Sequence, residues 1–354
     1  MLSQAQRTIF ERAQKLGSGA SGVALDDAIC RALIAVAATD FGVRERFSDI
    51  TGDVPELFEA NPPSSLSADG PDSFVLFERL IDEVGVDADT YFACLAALHK
   101  GRLKYQRILA SQPVPTIDQV GPRALLQYGM LPPASLSSLL LWRKWMFDID
   151  NRAGQESGYV FEPIVAHAIG GTPASATKSP VRRRGNESKG RQVDCLRGSN
   201  AYELKLRVTI AASGQGRWAE ELGFPQDCRD SGFVPLLIVF DPTSNPKLTE
   251  LIAAFRGAGG EAFVGDDAWA HLKEQAGVRM AAFLEKYVRK PLQAVLQSAP
   301  EALPELNMSM SADLVVFRVG GHVWQLGREG EDPDLVSPPD DEGTNDADDI
   351  LSGS

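Results

Sequence analysis

Three charged residues with the potential to do chemistry lie close together in the stretch VDCLRGSNAYELKLRV. They are Asp194, Glu203 and Lys205, placed on either side of Gly198-Ser199, a dipeptide suited to a two-residue type II′ turn. If this turn closes a β-hairpin, Asp194 lies opposite Glu203, with Cβ atoms roughly 5 Å apart. Strand alternation then places Lys205 on the same face as Glu203. Two facing carboxylates repel each other unless a cation neutralises them.

The geometry of this hairpin suits a magnesium site. Mg²⁺ prefers oxygen ligands from one or two carboxylates, completed by water and substrate phosphate. Asp194 and Glu203 are therefore candidate metal ligands, and Lys205 is a candidate for orienting or deprotonating an attacking water. The alternative is that all three are solvated charges on an outer strand. The (D/E)xK pattern is short, and it recurs at Glu187–Lys189 in a Gly-rich stretch where we expect no strand.

The surrounding elements predict an α/β fold with a central mixed β-sheet flanked by helices. The segment YVFEPIVAHAIGG is typical of a helix that stops at Gly-Gly, and VPLLIVF is typical of a buried strand. TELIAAFRGAGGEAFVG predicts a helix, a turn and a strand, and LVVFRVGGHVWQLG predicts a late hairpin. Because strands alternate with helices, we expect a sheet covered on its faces. We predict a mostly helical region at 1–155 and a core at 156–328, followed by a tail at 329–354.

Charge is distributed unevenly along the chain. The 354 residues carry a net charge of −13, but the tail at 329–354 holds ten acidic residues and no basic one. The remaining body has 38 acidic and 35 basic residues and is close to neutral. The tail has almost no apolar content, so we expect it to be disordered. A near-neutral body can still bind DNA through a local basic patch.

A basic run leads directly into the predicted hairpin, where a phosphate backbone would have to lie. A run of this kind is often only solvated, but its position favours DNA contact. The following segment, SGQGRW, combines small residues with polar donors suited to phosphates or base edges, whereas Trp218 fits a core position better. The candidate DNA-binding residues are Lys178, Arg182, Arg183, Arg184, Lys189, Arg191, Gln215 and Arg217.

The order of elements over about 156–265 resembles the PD-(D/E)xK nuclease superfamily, to which most type II restriction endonucleases belong. Asp194 matches the superfamily Asp, and Glu203 with Lys205 matches its ExK. The resemblance implies a restriction-endonuclease-like core and a further catalytic Glu on the preceding helix, matched by Glu162. Val193 stands where the superfamily often has Pro. The segment ELKLRVTIAASGQGRW is most similar to ApaLI-like restriction endonucleases.

The resemblance implies a Mg²⁺-dependent type II restriction endonuclease that cuts double-stranded DNA at a short, palindromic site. A homodimer would present one active site to each strand. The region at 1–155 would then add a dimer surface or a DNA clasp. A structure-specific repair or recombination nuclease, and a non-catalytic DNA-binding regulator, remain alternatives.

Other features of the sequence indicate the cellular compartment and argue against zinc sites and disulfides. The N-terminus lacks an apolar signal core, and the longest aliphatic runs are too short to cross a bilayer, so we expect a cytoplasmic protein without a membrane partner. The four cysteines are scattered without a CxxC pair, which argues against structural zinc and a disulfide framework. We expect them to be buried thiols.

Overall fold

The computed structural model describes residues 2–17, 22–206, 215–331 and 350–351. Its N-terminal part is helical, as the apolar spacing predicts. Asp26 and Asp72 cap the second and third helices by accepting backbone N–H groups, at Ile29 and at Phe74 and Val75 respectively. The helices of this part are α1 (Gln4–Gln14), α2 (Asp27–Asp40), α3 (Ser73–Val84), α4 (Ala88–Ser111), α5 (Ile117–Val120) and α6 (Pro133–Ala168).

Helix α6 is 36 residues long and runs through the predicted boundary between residues 155 and 156. The polar, glycine-containing segment NRAGQESG predicts a break in the helix, but its Gly154 and Gly158 both lie inside α6. Glycine costs a helix only about 1 kcal/mol, which the packing of α6 against α4 and the sheet can offset. The helix ends where predicted, before Gly170 with its positive φ of 72°. The division into two regions stays a prediction.

The central sheet is mixed, which confirms the predicted fold class. It has five strands in the order β1 (Thr172–Ala174), β4 (Val193–Arg197), β5 (Asn200–Lys205), β6 (Val234–Val239) and β7 (Glu261–Val264). The pairs β1–β4 and β4–β5 are antiparallel, whereas β5–β6 and β6–β7 are parallel. Strands β2 (Arg182–Arg183) and β3 (Asn186–Gly190) form a separate hairpin. The expectation that Glu187–Lys189 lies outside any strand was therefore wrong.

Helices cover both faces of this sheet. The first face contributes Cys195, Tyr202 and Leu204 to a large core shared with the N-terminal helices and α6. The second face contributes Ala201 and Leu237 to a smaller core beneath two further helices. Those helices are α7 (Gln215–Asp230) and α8 (Pro246–Gly257).

The rest of the chain adds further helices and a second sheet. The helical elements are α9 (Asp266–Leu284), a π-helical turn (Glu285–Arg289) and α10 (Lys290–Gln297). The second sheet has three strands, β8 (Leu306–Met310), β9 (Leu314–Val319) and β10 (His322–Gly327).

The described residues of the tail, 329–331 and 350–351, contact the rest of the protein. Glu329 donates its backbone N–H to the carbonyl of Ala110, and Glu331 pairs with Arg328. Ile350 and Leu351 are buried, 0% and 5% exposed, and belong to the large core. Burial of these two apolar side chains stabilises their contact with the core through the hydrophobic effect. The high acidic content of the tail does not reveal this contact. Residues 332–349 and 352–354 lie outside the described residues.

The structure bears on the cysteines and on membrane-spanning helices. All four cysteines are buried and unpaired, as predicted. In the part of the chain that the structure describes, no helix is long and apolar enough to span a membrane.

Candidate active site

The hairpin that carries the candidate residues has the predicted register. Strands β4 and β5 pair Cys195 with Tyr202, Leu196 with Ala201, and Arg197 with Asn200. The turn between them places Gly198 at a φ of 58°, which a residue without a Cβ adopts at little cost. The local signals of turn and alternation were therefore sufficient to set which residues face each other.

Asp194 lies just beyond the last of these pairs and departs from regular strand geometry. Val193 packs in the smaller core and Cys195 in the larger one, although residues two apart on a regular strand share a face. The Asp194 side chain then replaces a backbone partner, because its Oδ2 accepts the N–H of Leu204 at 2.8 Å. This bond holds the carboxylate against the strand segment that carries Glu203 and Lys205.

Lys205 and Glu203 form an ion pair on one face of β5. The Lys205 Nζ donates to Glu203 Oε1 at 2.8 Å, and the two side chains are 20% and 17% exposed. Burial by itself disfavours the ammonium, but the carboxylates of Glu203, Glu221 and Asp194 outweigh it and raise the pKa of Lys205. The lysine is therefore held as a cation among carboxylates.

Four carboxylates belong to the cluster that contains this lysine. Burial raises the pKa of Asp194 well above its usual range, and the negative charges of Glu203 and Glu162 raise it further. Glu162 reaches this position from α6, which packs against β4 and β5. Glu221 reaches it from α7, on the opposite side of the sheet. The sequence did not reveal Glu221, because nothing in AEELGF distinguishes it from Glu220.

The donor set fits a hard divalent cation. Asp194 and Glu203 each engage one oxygen in the hydrogen bonds above, which leaves a second oxygen without a hydrogen bond to any described residue. The pKa of Asp194 is raised first by burial and then by the negative charges of Glu203 and Glu162, and a bound cation would favour the ionised carboxylate. No group of three or more His, Cys, Asp or Glu residues within the described ranges is arranged to hold a metal. A site here would therefore rely on two carboxylates with water and phosphate, as Mg²⁺ sites do.

The basic run divides into two groups in the structure. Arg183 pairs with Glu220 at 2.6 Å and Arg184 with Asp230 at 3.2 Å, both acids lying on α7. Arg191, 12% exposed, donates to the buried carboxylate of Asp227 at 2.7 Å. These three arginines attach the β2–β3 hairpin to α7. The exposed members, with no ion pair among the described residues, are Lys178, Arg182 and Lys189.

The SGQGRW segment is only partly described. Residues 207–214 lie outside the described ranges, and α7 begins at Gln215 and contains Arg217. Trp218 is partly buried against the smaller core, and its Nε1 donates to Glu250 at 3.2 Å. The Lys247 ammonium lies 5.0 Å from the centre of its ring. Trp218 thus joins α7 to α8, in agreement with the packing role preferred for it.

Comparison with known proteins identifies the family. A model of the ApaLI-like restriction endonuclease family matches residues 73–289, more than half of the chain. The match runs from α3 to the π-helical turn after α9 and includes the whole five-stranded sheet.

The chain belongs to the ApaLI-like restriction endonuclease family.

A curated member of this ApaLI-like group gives an independent measure of the similarity. The type II restriction enzyme ApaLI of Acetobacter pasteurianus is 49% identical over 288 residues, which cover 76% of this chain and 76% of that enzyme. No solved structure matches the chain. The ApaLI-like match covers the hairpin, Glu162 on α6 and Glu221 on α7, so the residues gathered around Lys205 all lie within the region that defines the family.

Proposed function

We propose that the protein is a Mg²⁺-dependent type II restriction endonuclease that hydrolyses phosphodiester bonds in double-stranded DNA at a short, palindromic site. Family membership supports the reaction class. The observation that carries the assignment of the site is the hairpin, which gathers Asp194, Glu203 and Lys205 on adjoining strands, with Asp194 fixed by the Leu204 N–H.

Each residue of the hairpin has a distinct role in this proposal. Asp194 and Glu203 would hold the metal, which when bound would supply a Lewis acid and activate a water. Lys205 would orient the attacking water and balance the charge of the phosphate, since its raised pKa keeps it a cation and its Nζ lies 2.8 Å from the proposed metal ligand Glu203. Glu162, on α6, adds a further negative charge beside Asp194 and would strengthen the attraction of the site for a cation.

The protein acts as a homodimer in the cytoplasm in this proposal. A two-fold axis matches the symmetry of a palindromic site, so each copy of the hairpin meets one strand. The exposed Lys178, Arg182 and Lys189 precede the hairpin and supply phosphate contacts. Gln215 and Arg217, at the start of α7, remain candidates for contacts to phosphates or base edges.

The deciding experiment is digestion of a phage genome with and without Mg²⁺, followed by gel electrophoresis. Discrete fragments that require Mg²⁺ support a site-specific endonuclease. A smear would indicate a structure-specific or nonspecific nuclease of the same chemistry. Intact DNA that is nevertheless shifted by bound protein would contradict the proposal and favour a non-catalytic DNA-binding protein.

A further inference from the structure

Large apolar side chains are exposed to solvent between α5 and the middle of α6. Leu125 and Leu126 are 82% and 87% exposed, and Tyr128 and Met130 are 73% and 74% exposed. Phe147, on α6, is 59% exposed. Single exposed apolar residues are ordinary, but a contiguous group of them marks an interaction surface.

These residues form one surface. Leu139, Arg143 and Met146 follow one another along one face of α6 at steps of four and three residues, and Phe147 lies four residues after Arg143. Arg143 donates to the Oε1 of Gln127 at 3.4 Å, which places this helix face beside the segment that carries the other exposed side chains. We call this surface the α6 apolar face; it consists of Leu125, Leu126, Tyr128, Met130, Leu139, Met146 and Phe147.

The α6 apolar face is preformed. Directly beneath it, Val120, Leu136 and Leu140 are 1%, 3% and 1% exposed and form a small core of their own. This core fixes α5 and the following 3₁₀ helix (Gly121–Leu126) against α6. The exposed side chains therefore project from a packed support, and covering them costs less ordering entropy than folding a loose segment would.

The charge of this segment favours a protein partner over DNA. No Asp or Glu occurs from Gln119 to Phe147, in a chain with 48 acidic residues among 354. Interface cores are depleted in charge and enriched in Tyr, Met and Phe, all of which this face carries. A nucleic-acid surface would need a row of cations, whereas the basic residues here include Lys144, which pairs with Asp148.

We infer that the α6 apolar face is the surface through which two copies of this chain associate. The seven residues are between 40% and 87% exposed. At roughly 100 Å² for a fully exposed side chain they offer on the order of 450 Å² of apolar area, which is close to the apolar share of the ~800 Å² that each partner buries in a standard interface. A two-fold contact uses the same patch on both copies, which an apolar patch with few charges can satisfy.

The position of this face on α6 links it to the candidate active site. The inference rests on the proposed function only in that a palindromic target needs two active sites. Phe147 and Glu162 lie on the same helix, about 22 Å apart at 1.5 Å per residue. A dimer formed through the α6 apolar face would thus have its contact surface and its two active sites joined by one continuous helix in each copy.

Sedimentation velocity of the full chain, without DNA or metal, tests the inference. The wild-type protein should sediment as a dimer of the 38.2 kDa chain at about 20 µM, well above the Kd of a weak interface. Leu126→Glu/Met130→Glu should be a monomer under the same conditions. The matched control, Leu303→Glu, changes a leucine that is 96% exposed outside this face and should remain a dimer.

A melting curve shows whether the variants fold, with Tm expected within about 3 °C of wild type for exposed positions. Tyr128→Ser/Phe147→Ser, which adds no charge, is the second variant and should also be a monomer. The inference is overturned if the wild type is a monomer at this concentration, or if either folded variant stays a dimer. Dimers that depend on this face in a protein that leaves DNA intact would support the inference and contradict only the proposed function.

Discussion

Lys205 donates a hydrogen bond to Glu203 across 2.8 Å, from one position on β5 to the position two residues before it. The pair is less exposed than ordinary surface ion pairs, with both side chains at or below 20% exposure. The carboxylates near Lys205 outnumber it, because Asp194 and Glu221 also act on its ammonium in addition to Glu203. A divalent cation bound by Asp194 and Glu203 would offset this excess of negative charge.

The first prediction concerns Lys205. Lys205→Ala should lower the single-turnover cleavage rate by at least about a hundredfold, because a group that stabilises charge in the transition state is removed. Specific DNA binding should change by less than about 1 kcal/mol. Lys273→Ala, which removes an exposed lysine on α9, is the control and should behave as wild type. A Lys205 variant that failed only in binding would make the hairpin a DNA clamp.

The second prediction divides the basic run. Replacing Lys178, Arg182 and Lys189 by Ala should weaken binding to every DNA sequence, and the salt dependence should fall by about one unit of slope for each phosphate that is no longer neutralised. Fluorescence anisotropy across a salt series measures both quantities. An unchanged slope would show that these side chains do not bind phosphates.

The matched control for this division uses the arginines that bind α7. Arg191→Ala should lower the free energy of unfolding by about 3 kcal/mol, because the buried carboxylate of Asp227 loses its cationic partner and keeps only the Arg184 backbone N–H among the described residues. Arg184→Ala breaks a pair whose side chains are 64% and 49% exposed, and should cost less than about 1 kcal/mol. Urea denaturation compares the two. Equal losses would contradict the larger contribution assigned to the buried Arg191–Asp227 pair.

Much of the site was predictable because its determinants are local. A two-residue turn with Gly198 and the alternation of a strand fix the register of the hairpin without distant information. This register brings Asp194 near Glu203 and Lys205, whereas the departure from regular strand geometry that lets its carboxylate accept the Leu204 N–H was not predicted. The prediction of a mostly helical region at 1–155 rests on a similarly local signal, since the buried residues Leu76, Phe77 and Leu80 of α3 recur within one turn of the helix.

Features that depend on tertiary packing could not be predicted. Whether Glu220 or Glu221 faces the lysine is decided by how α7 rotates against the sheet, which its own sequence does not encode. The β2–β3 hairpin is polar and has no apolar period to reveal it. Helix α6 continues through Gly154 because its neighbours hold it.

The third prediction concerns the C-terminus. Ending the chain after Asp349 removes Ile350 and Leu351 from the core and should lower the free energy of unfolding by about 3 kcal/mol, from two apolar side chains returned to water. Ending it after Leu351 instead should leave stability unchanged. Thermal melting compares the two truncations. Identical Tm values would show that the docking of these residues contributes nothing.

The fourth prediction concerns acid stability. His99 is fully buried, its ring nitrogens have no hydrogen-bond partner among the described residues, and burial lowers its pKa from 6.5 to about 3. Between pH 6.5 and about pH 3, His99 is therefore protonated in the unfolded state and neutral in the folded state. The free energy of unfolding falls as the pH drops below about 6.5. By pH 4.5 this costs about 2–3 kcal/mol.

His99→Leu removes the titrating group at similar volume. Its stability relative to wild type should rise as pH is lowered from 7 to 4.5, measured by urea denaturation at each pH. A difference between the two proteins that does not vary with pH would contradict the assignment of this loss to His99.

The most direct test of the active site is single-turnover cleavage of a phage genome by Glu203→Gln in the presence of Mg²⁺. Glu187→Gln, in the second (D/E)xK tripeptide of the chain, is the matched control. We expect the Glu203 variant to lose at least about a hundredfold in cleavage rate while still binding DNA, and the Glu187 variant to cleave as wild type. Cleavage by the Glu203 variant within a few-fold of wild type, or a larger loss in the Glu187 variant, would show that the hairpin is not the active site.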